Sequence, residues 1–264
     1  MYPVIARRSR GLSVGINLNP DTTCNFNCVY CQVDRGQPRR EGDVNPDALA
    51  EELDRMLSWV VDRSIFTHPH FAHVPDELKR VNDIAFSGDG EPTACAVFPQ
   101  SVRIAARLKA KWSLHDVKLV LITNGSYLPE PSVAAALDVL MENNGEIWAK
   151  IDAGTEEHFR AVNRAKVSLQ DVLDSITSTA RKYPVVIQSL WMRLHDERPA
   201  EAQVHAFADR LRDIVRAGGR IASVQVYTIA RKPTEPHVTP LTGADLEWVA
   251  SVVRDRAKLE AVTY

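Results

Sequence analysis

The sequence predicts an α/β fold: a parallel sheet built from six βα units and curled into a partial (β/α)6 barrel. Three observations carry that prediction. Six strand-like runs alternate with six amphipathic helical patterns, the strand-like runs are mostly continuous and β-branched, and the segments after them are polar. Continuous apolar runs suit parallel strands covered by helices on both faces. Such units in series give right-handed crossovers within one sheet.

The strand-like runs are Val14–Leu18, Asp83–Ser87, Val117–Thr123, Ile147–Asp152, Val185–Leu190 and Ile221–Ile229. The first helix opens at Asn45-Pro46, a cap residue followed by proline at the first helical position. Its apolar stripe is Leu49, Leu53, Met56, Leu57 and Val60. The second carries Val102, Ala105 and Leu108. The third starts after Pro129 and Pro131 and stops near Asn144-Gly145. The fourth shows Leu169, Val172, Leu173 and Ile176, and the fifth runs from Val204 to Val215 before Gly218-Gly219. The last, at 242–262, carries Leu246, Val249 and Val253 and is expected to close the barrel. These spacings are helical. No linker or low-complexity tract interrupts them, so residues 1–264 are read as a single domain with one irregular insertion, Ile65–Lys79.

Of 264 residues, 45% are hydrophobic and 25% charged, ordinary values for a globular enzyme. A net charge of −2 argues against a general polyanion binder and leaves any nucleic-acid site to a local patch. No run approaches the roughly 18 apolar residues of a membrane span. The N-terminal stretch, with Arg7-Arg8, lacks the apolar core of a secretory signal. The expectation is a cytoplasmic protein without a membrane partner.

Three of the four cysteines fall within eight residues, Cys24-Asn25-Phe26-Asn27-Cys28-Val29-Tyr30-Cys31, directly after the first strand-like run. This clustering fits a metal site in a reducing compartment better than a disulfide framework. A closed structural zinc site wants four protein ligands, and most simple iron–sulfur clusters take four cysteines. Three thiolates on a cubane leave one iron open for chemistry. The alternatives are a zinc site completed by a distant histidine, or a redox pair at Cys28 and Cys31.

In parallel barrels the chemistry gathers at the C-terminal strand ends. Here those ends carry the cysteine loop (20–36), Ser87-Gly88-Asp89-Gly90-Glu91-Pro92-Thr93, Thr123-Asn124-Gly125, Lys150-Ile151-Asp152, Gln188-Ser189 with Arg193 and His195, and Tyr227 to Lys232. Lys150 and Asp152, two apart on a strand, share a face; a structural ion pair is the alternative to a role at the site. His68, His70 and His73 sit among prolines in the insertion and read as a surface loop. Cys95, just past the glycine-rich turn, reads as a small buried hydrophobe, with a second hydrogen donor near the rim as the alternative. Arg35, Arg39, Arg40, Arg193, Arg198, Arg231 and Lys232 could grip phosphates, or form a solvated rim with the acidic residues interleaved among them.

The C-x3-C-x2-C loop with Tyr30 before its last cysteine resembles the signature of the radical S-adenosylmethionine (SAM) superfamily. Gly88-Asp89-Gly90-Glu91-Pro92 resembles that superfamily's motif for the SAM amino group. Within it, "FSGDGEPT", "TNG" and "KIDAG" look most like the branch of the wyosine-base synthases, which remodel a guanosine in transfer RNA. The resemblance implies the superfamily's partial barrel and a [4Fe–4S] cluster on Cys24, Cys28 and Cys31. SAM would chelate the fourth iron and be cleaved to a 5′-deoxyadenosyl radical that abstracts hydrogen from substrate.

It further implies SAM contacts from Gly88, Asp89, Gly90 and Glu91, with Lys150 at the methionine carboxylate and Asp152 at a ribose hydroxyl. Asn124 and Gln188 would face SAM, and the backbones near Tyr30 and Ile229 the adenine edge. A low-potential flavodoxin- or ferredoxin-type donor is implied as partner. Arg193, Arg231 and Lys232 would serve an RNA base or another phosphate-bearing substrate, against the alternatives of a peptide, a small metabolite or a non-enzymatic zinc module. The wyosine-base synthases carry three further cysteines upstream for a second cluster. None of the 23 residues before Cys24 is a cysteine, so one cluster and a different reaction are expected.

Overall fold

The computed structural model describes residues 1–6, 11–34 and 44–264. Arg7, Arg8, Arg35, Arg39, Arg40 and the last two positions of the 20–36 loop lie outside the described residues. Two units can be distinguished: Met1–Thr23 with the described part of Arg39–Ile122 and Glu130–Glu146, and the described part of Cys24–Pro38 with Thr123–Pro129 and Ile147–Tyr264.

In the first unit, β1 (Tyr2–Ala6) lies antiparallel on β2 (Gly11–Ile16), which pairs in parallel with β3 (Val81–Phe86). β3 in turn pairs in parallel with β4 (Lys118–Thr123). β2 stops two residues short of the expected run because Asn17 turns its side chain onto the Asn19 N–H (3.0 Å), an Asx turn that ends the strand. Asp83 is tolerated at 3% exposure because the Ser13 hydroxyl donates to its carboxylate.

The helices here are α1 (Pro46–Val61), α2 (Phe98–Lys111) and α3 (Pro131–Glu142). Asn45 caps α1 by accepting from the N–H groups of Asp47 and Ala48, and the expected stripe from Leu49 to Val60 is buried. The insertion folds as two 3₁₀ turns, Ser64–Thr67 and Asp76–Leu78. Ile65, Phe66 and Phe71 anchor it while His68, His70 and His73 stay exposed.

The second unit holds β5 (Gly145–Lys150) from Ile147 onward, then β6 (Val185–Leu190), β7 (Met192–Leu194), β8 (Ile221–Tyr227), β9 (Val238–Pro240) and β10 (Ala261–Thr263). β5, β6, β8 and β10 pair side by side in parallel, and β7 and β9 make a separate antiparallel ribbon. Its helices are α4 (Glu156–Asn163), α5 (Leu169–Lys182), α6 (Glu201–Arg216) and α7 (Gly243–Ala257).

The expected helix 242–262 is corrected in its second part. Lys258 takes a left-handed conformation (φ 57°) that stops α7, and Ala261–Thr263 extends onto β8 as β10. Capping boxes at Ser168/Asp171 and Thr242/Asp245 start α5 and α7. Among the described residues no helix is long and apolar enough to cross a membrane.

Gly154, between β5 and α4, lies against the backbone of α6. A Cβ there would stand 2.0 Å from the Phe207 nitrogen. Gly154→Ala therefore forces α6 and the buried Trp191–Phe207 contact (ring centroids 5.4 Å apart) to shift. The expected loss is about 1–3 kcal/mol, read as a lower urea midpoint at unchanged slope.

Candidate active site

The cysteine loop is built against the end of α4. Phe26, 4% exposed, packs edge-on to Phe159 with centroids 5.5 Å apart. The Asn27 N–H donates to the Asn163 carbonyl (3.0 Å) and the Val29 N–H to the Val162 carbonyl (2.9 Å). These are carbonyls that a helix C-terminus leaves without intrahelical partners, so α4 and the loop satisfy each other. The Asn25 carbonyl accepts from the Lys166 N–H (3.2 Å), and a Cys31 N–H to Cys28 carbonyl bond (3.0 Å) folds Cys28 to Cys31 into a turn. Val29 and Tyr30 join a buried cluster with Val162, Leu190, Met192 and Val238, against which Ile229 packs.

All four cysteines are half-buried and none is in a disulfide. The sulfur of Cys24 accepts the Phe26 N–H (3.4 Å) and the Asn124 side-chain amide (3.8 Å). That of Cys28 accepts the Asn163 side-chain amide (3.5 Å). Burial, with the nearby Asp152 carboxylate, pushes the Cys28 thiol up to about 12.

Asp152 ties these parts together. It is 2% exposed, and its carboxylate accepts from the Tyr30 hydroxyl (2.5 Å), the Asn163 amide (2.8 Å) and the Leu190 backbone N–H (2.8 Å). Cysteine loop, α4 and the end of β6 thus meet on one carboxylate. Burial and Asp152 together hold the Tyr30 phenol well above its ordinary range. The Lys150 ammonium lies over the Tyr30 ring, 5.3 Å from the centroid.

Of the other expected residues, Asn124 is turned into the loop, bonding the Asn25 side chain (2.8 Å) as well as Cys24. Gln188 is fully buried and donates to Gln225 (2.9 Å). Arg193 donates to the Asp196 carbonyl (2.9 Å) and sits 3.7 Å from Asp245, whereas Arg231 and Lys232 are exposed. A cavity of about 150 Å³ opens beside Asp152, lined among others by His158, Leu190, Trp191 and Arg198. Burial keeps the pKa of His158 below its ordinary value.

In the first unit, the turn Gly88-Asp89-Gly90-Glu91 is held by Asn17, just past the end of β2. The Asn17 amide donates to the Asp89 carboxylate (2.7 Å) and accepts the Asp89 N–H (3.3 Å). Gly88 sits at φ 155°, and a Cβ at Gly90 would meet the Thr23 carbonyl at 2.1 Å, so only glycine fits that approach. Glu91 is 2% exposed and caps the next turn by accepting the Thr93 N–H (3.1 Å) and hydroxyl (2.5 Å). The Tyr2 hydroxyl shares a hydrogen bond with Ser87 at the start of this turn (2.6 Å).

Residues 18–202 match the sequence model of the radical SAM superfamily, more than half of the chain. The chain belongs to the radical SAM superfamily. It is 21% identical over 248 residues to a protein named GTPase Obg from Brachyspira hyodysenteriae, covering 93% of this chain and 32% of that one. It is 28% identical over 138 residues to a UPF0026 protein of Helicobacter pylori, covering 51% of this chain and 37% of the relative. The chain thus spans about a third of the length of these curated relatives. Among solved structures, TYW1 with a bound lysine-pyruvate adduct superposes with a TM-score of 0.57 at 14% identity, over 96% of this chain and 75% of that one. At that identity the likeness concerns the fold.

For a member of this superfamily the family implies SAM-dependent radical chemistry, with a [4Fe–4S] cluster and SAM as cofactors. The three thiols do not stand gathered as a ready-made cage. Among the described residues no three or more His, Cys, Asp or Glu side chains converge as a metal site. What fits the cluster is the donor set: three thiols on one short loop, two of them accepting N–H groups of the kind that stabilise charged sulfur.

Sequence reasoning missed α4, Asn163 and the Tyr30 hydroxyl. Thr155, which caps α4 by accepting the His158 N–H (3.2 Å), followed by Glu156 and Glu157, was the available signal for the helix. Nothing in the pattern marked Asn163. Asp152→Ala strands three buried donors and is expected to cost about 3 kcal/mol or more. Lys150→Met removes the cation–π contact over Tyr30, worth about 1 kcal/mol. Chemical denaturation of the two variants side by side checks the difference.

Proposed function

We propose that Cys24, Cys28 and Cys31 hold a single [4Fe–4S] cluster, and that Gly88, Asp89, Gly90 and Glu91 receive the amino group of SAM. When bound, the cluster supplies the electron for reductive cleavage of SAM, yielding the 5′-deoxyadenosyl radical that takes hydrogen from substrate. The remaining work belongs to the chain. Lys150 offers its ammonium to the methionine carboxylate, and the backbones of Tyr30 and Ile229 bound the adenine. Asp152, which accepts from three protein donors on three elements, acts as a positioning residue. Asn124 acts on the cysteine loop, while Gln188 forms part of the sheet interior with Gln225. The observation that carries this reading is the cysteine loop itself, braced by α4 and by amides directed at two of its sulfurs.

For substrate, the reading is an RNA base or another phosphate-bearing molecule, in a branch resembling the wyosine-base synthases but using one cluster. Three features support it: the "FSGDGEPT", "TNG" and "KIDAG" motifs, the fold likeness to TYW1, and exposed Arg231 and Lys232. A low-potential flavodoxin or ferredoxin would serve as reductant.

Anaerobically reconstituted protein given dithionite and SAM should form 5′-deoxyadenosine, and Cys28→Ala should form none and lose the brown colour. Cleavage surviving in that variant would sink the assignment. Stimulation by transfer RNA that falls steeply with salt supports the substrate class; indifference to RNA moves the reading to a peptide or small metabolite.

A further inference from the structure

Asn163 holds a position that the superfamily reading leaves unused. It ends α4, is 2% exposed, and its side-chain nitrogen reaches both the Asp152 carboxylate (2.8 Å) and the Cys28 sulfur (3.5 Å). Its backbone carbonyl accepts from Asn27, inside the cysteine loop (3.0 Å). One residue therefore fixes the loop's backbone and one of its sulfurs, and its amide is oriented by a carboxylate that Tyr30 and Leu190 hold from other sides. An amide with two donor hydrogens can serve Asp152 and a sulfur together.

Resting on the proposed cluster assignment, we propose that Asn163 is a positioning residue that sets the reduction potential of the cluster through its N–H to Cys28. Hydrogen bonds to cluster sulfurs stabilise the reduced, more negative state and are one of the levers a protein has on potential. The Asn124 amide at Cys24 is the longer counterpart, 3.8 Å against 3.5 Å, so its influence is the smaller. Asp152 acts through Asn163: it aims the donor.

The test is a redox titration of the reconstituted full chain, followed by electron paramagnetic resonance, for wild type, Asn163→Leu and Asn124→Leu. Iron and sulfide content is measured alongside. The expected result is a more negative midpoint in Asn163→Leu and a smaller shift in Asn124→Leu, at wild-type cluster content. An unchanged midpoint in Asn163→Leu with a full cluster overturns the inference while leaving the functional reading standing. Wild type that takes up no iron and sulfide overturns both. Should Asn163→Leu lose the cluster, the Asn124→Leu protein grown with side-chain ¹⁵N-asparagine decides. Pulsed resonance of its reduced cluster should show a ¹⁵N coupling from Asn163, and absence of that coupling overturns the inference.

Discussion

A carboxylate 2% exposed to solvent is the constraint on which the arrangement of the second unit depends. Burying a carboxyl group such as that of Asp152 is costly unless donors replace its water. Three do so, and they come from three separate elements: Tyr30 in the cysteine loop, Asn163 at the end of α4 and Leu190 at the end of β6. Each of those elements carries something else of use. Tyr30 sits between two cysteines, Asn163 donates to the Cys28 sulfur, and Leu190 closes the apolar cluster under the loop. The electrostatic need of one buried group thereby fixes where a loop with little regular structure must lie.

α4 contributes in a complementary way. Its last carbonyls would face unfavourable burial without partners, and the loop's N–H groups would be equally exposed to that cost. Their mutual bonds solve both problems. The same helix places Phe159 against Phe26, so apolar contact and backbone pairing act at one place. In the first unit the logic differs. Close approach of backbone to backbone at Gly90, and the Asn17–Asp89 pair, shape the glycine-rich turn without a helix end.

Much of this was legible in the sequence where a pattern is long or chemically dense. The run Val185–Leu190 became β6 with the same bounds, and the α1 stripe was buried as read. The three clustered cysteines and the glycine-rich turn pointed to the superfamily that the chain belongs to. Short elements were not legible. α4 has eight residues and offers few apolar positions, too few for periodicity to speak. β1 contains Pro3, which lowers a strand reading, and the structure uses it only at the sheet's edge. Asp152 and Asn124 were recognised as site residues, but their partners in the cysteine loop, Tyr30 and Asn25, lie 122 and 99 residues away. Which partner a polar side chain finds at such separations follows from tertiary packing, not from local pattern.

The measurement that bears most directly on the central claim is the paramagnetic resonance spectrum of the reduced, reconstituted protein before and after addition of SAM. A cluster held by Cys24, Cys28 and Cys31 has one iron without a cysteine ligand, so SAM should change the spectrum of a single [4Fe–4S] centre. A spectrum that is identical at saturating SAM, or a protein that binds zinc and no acid-labile sulfide, would contradict the account.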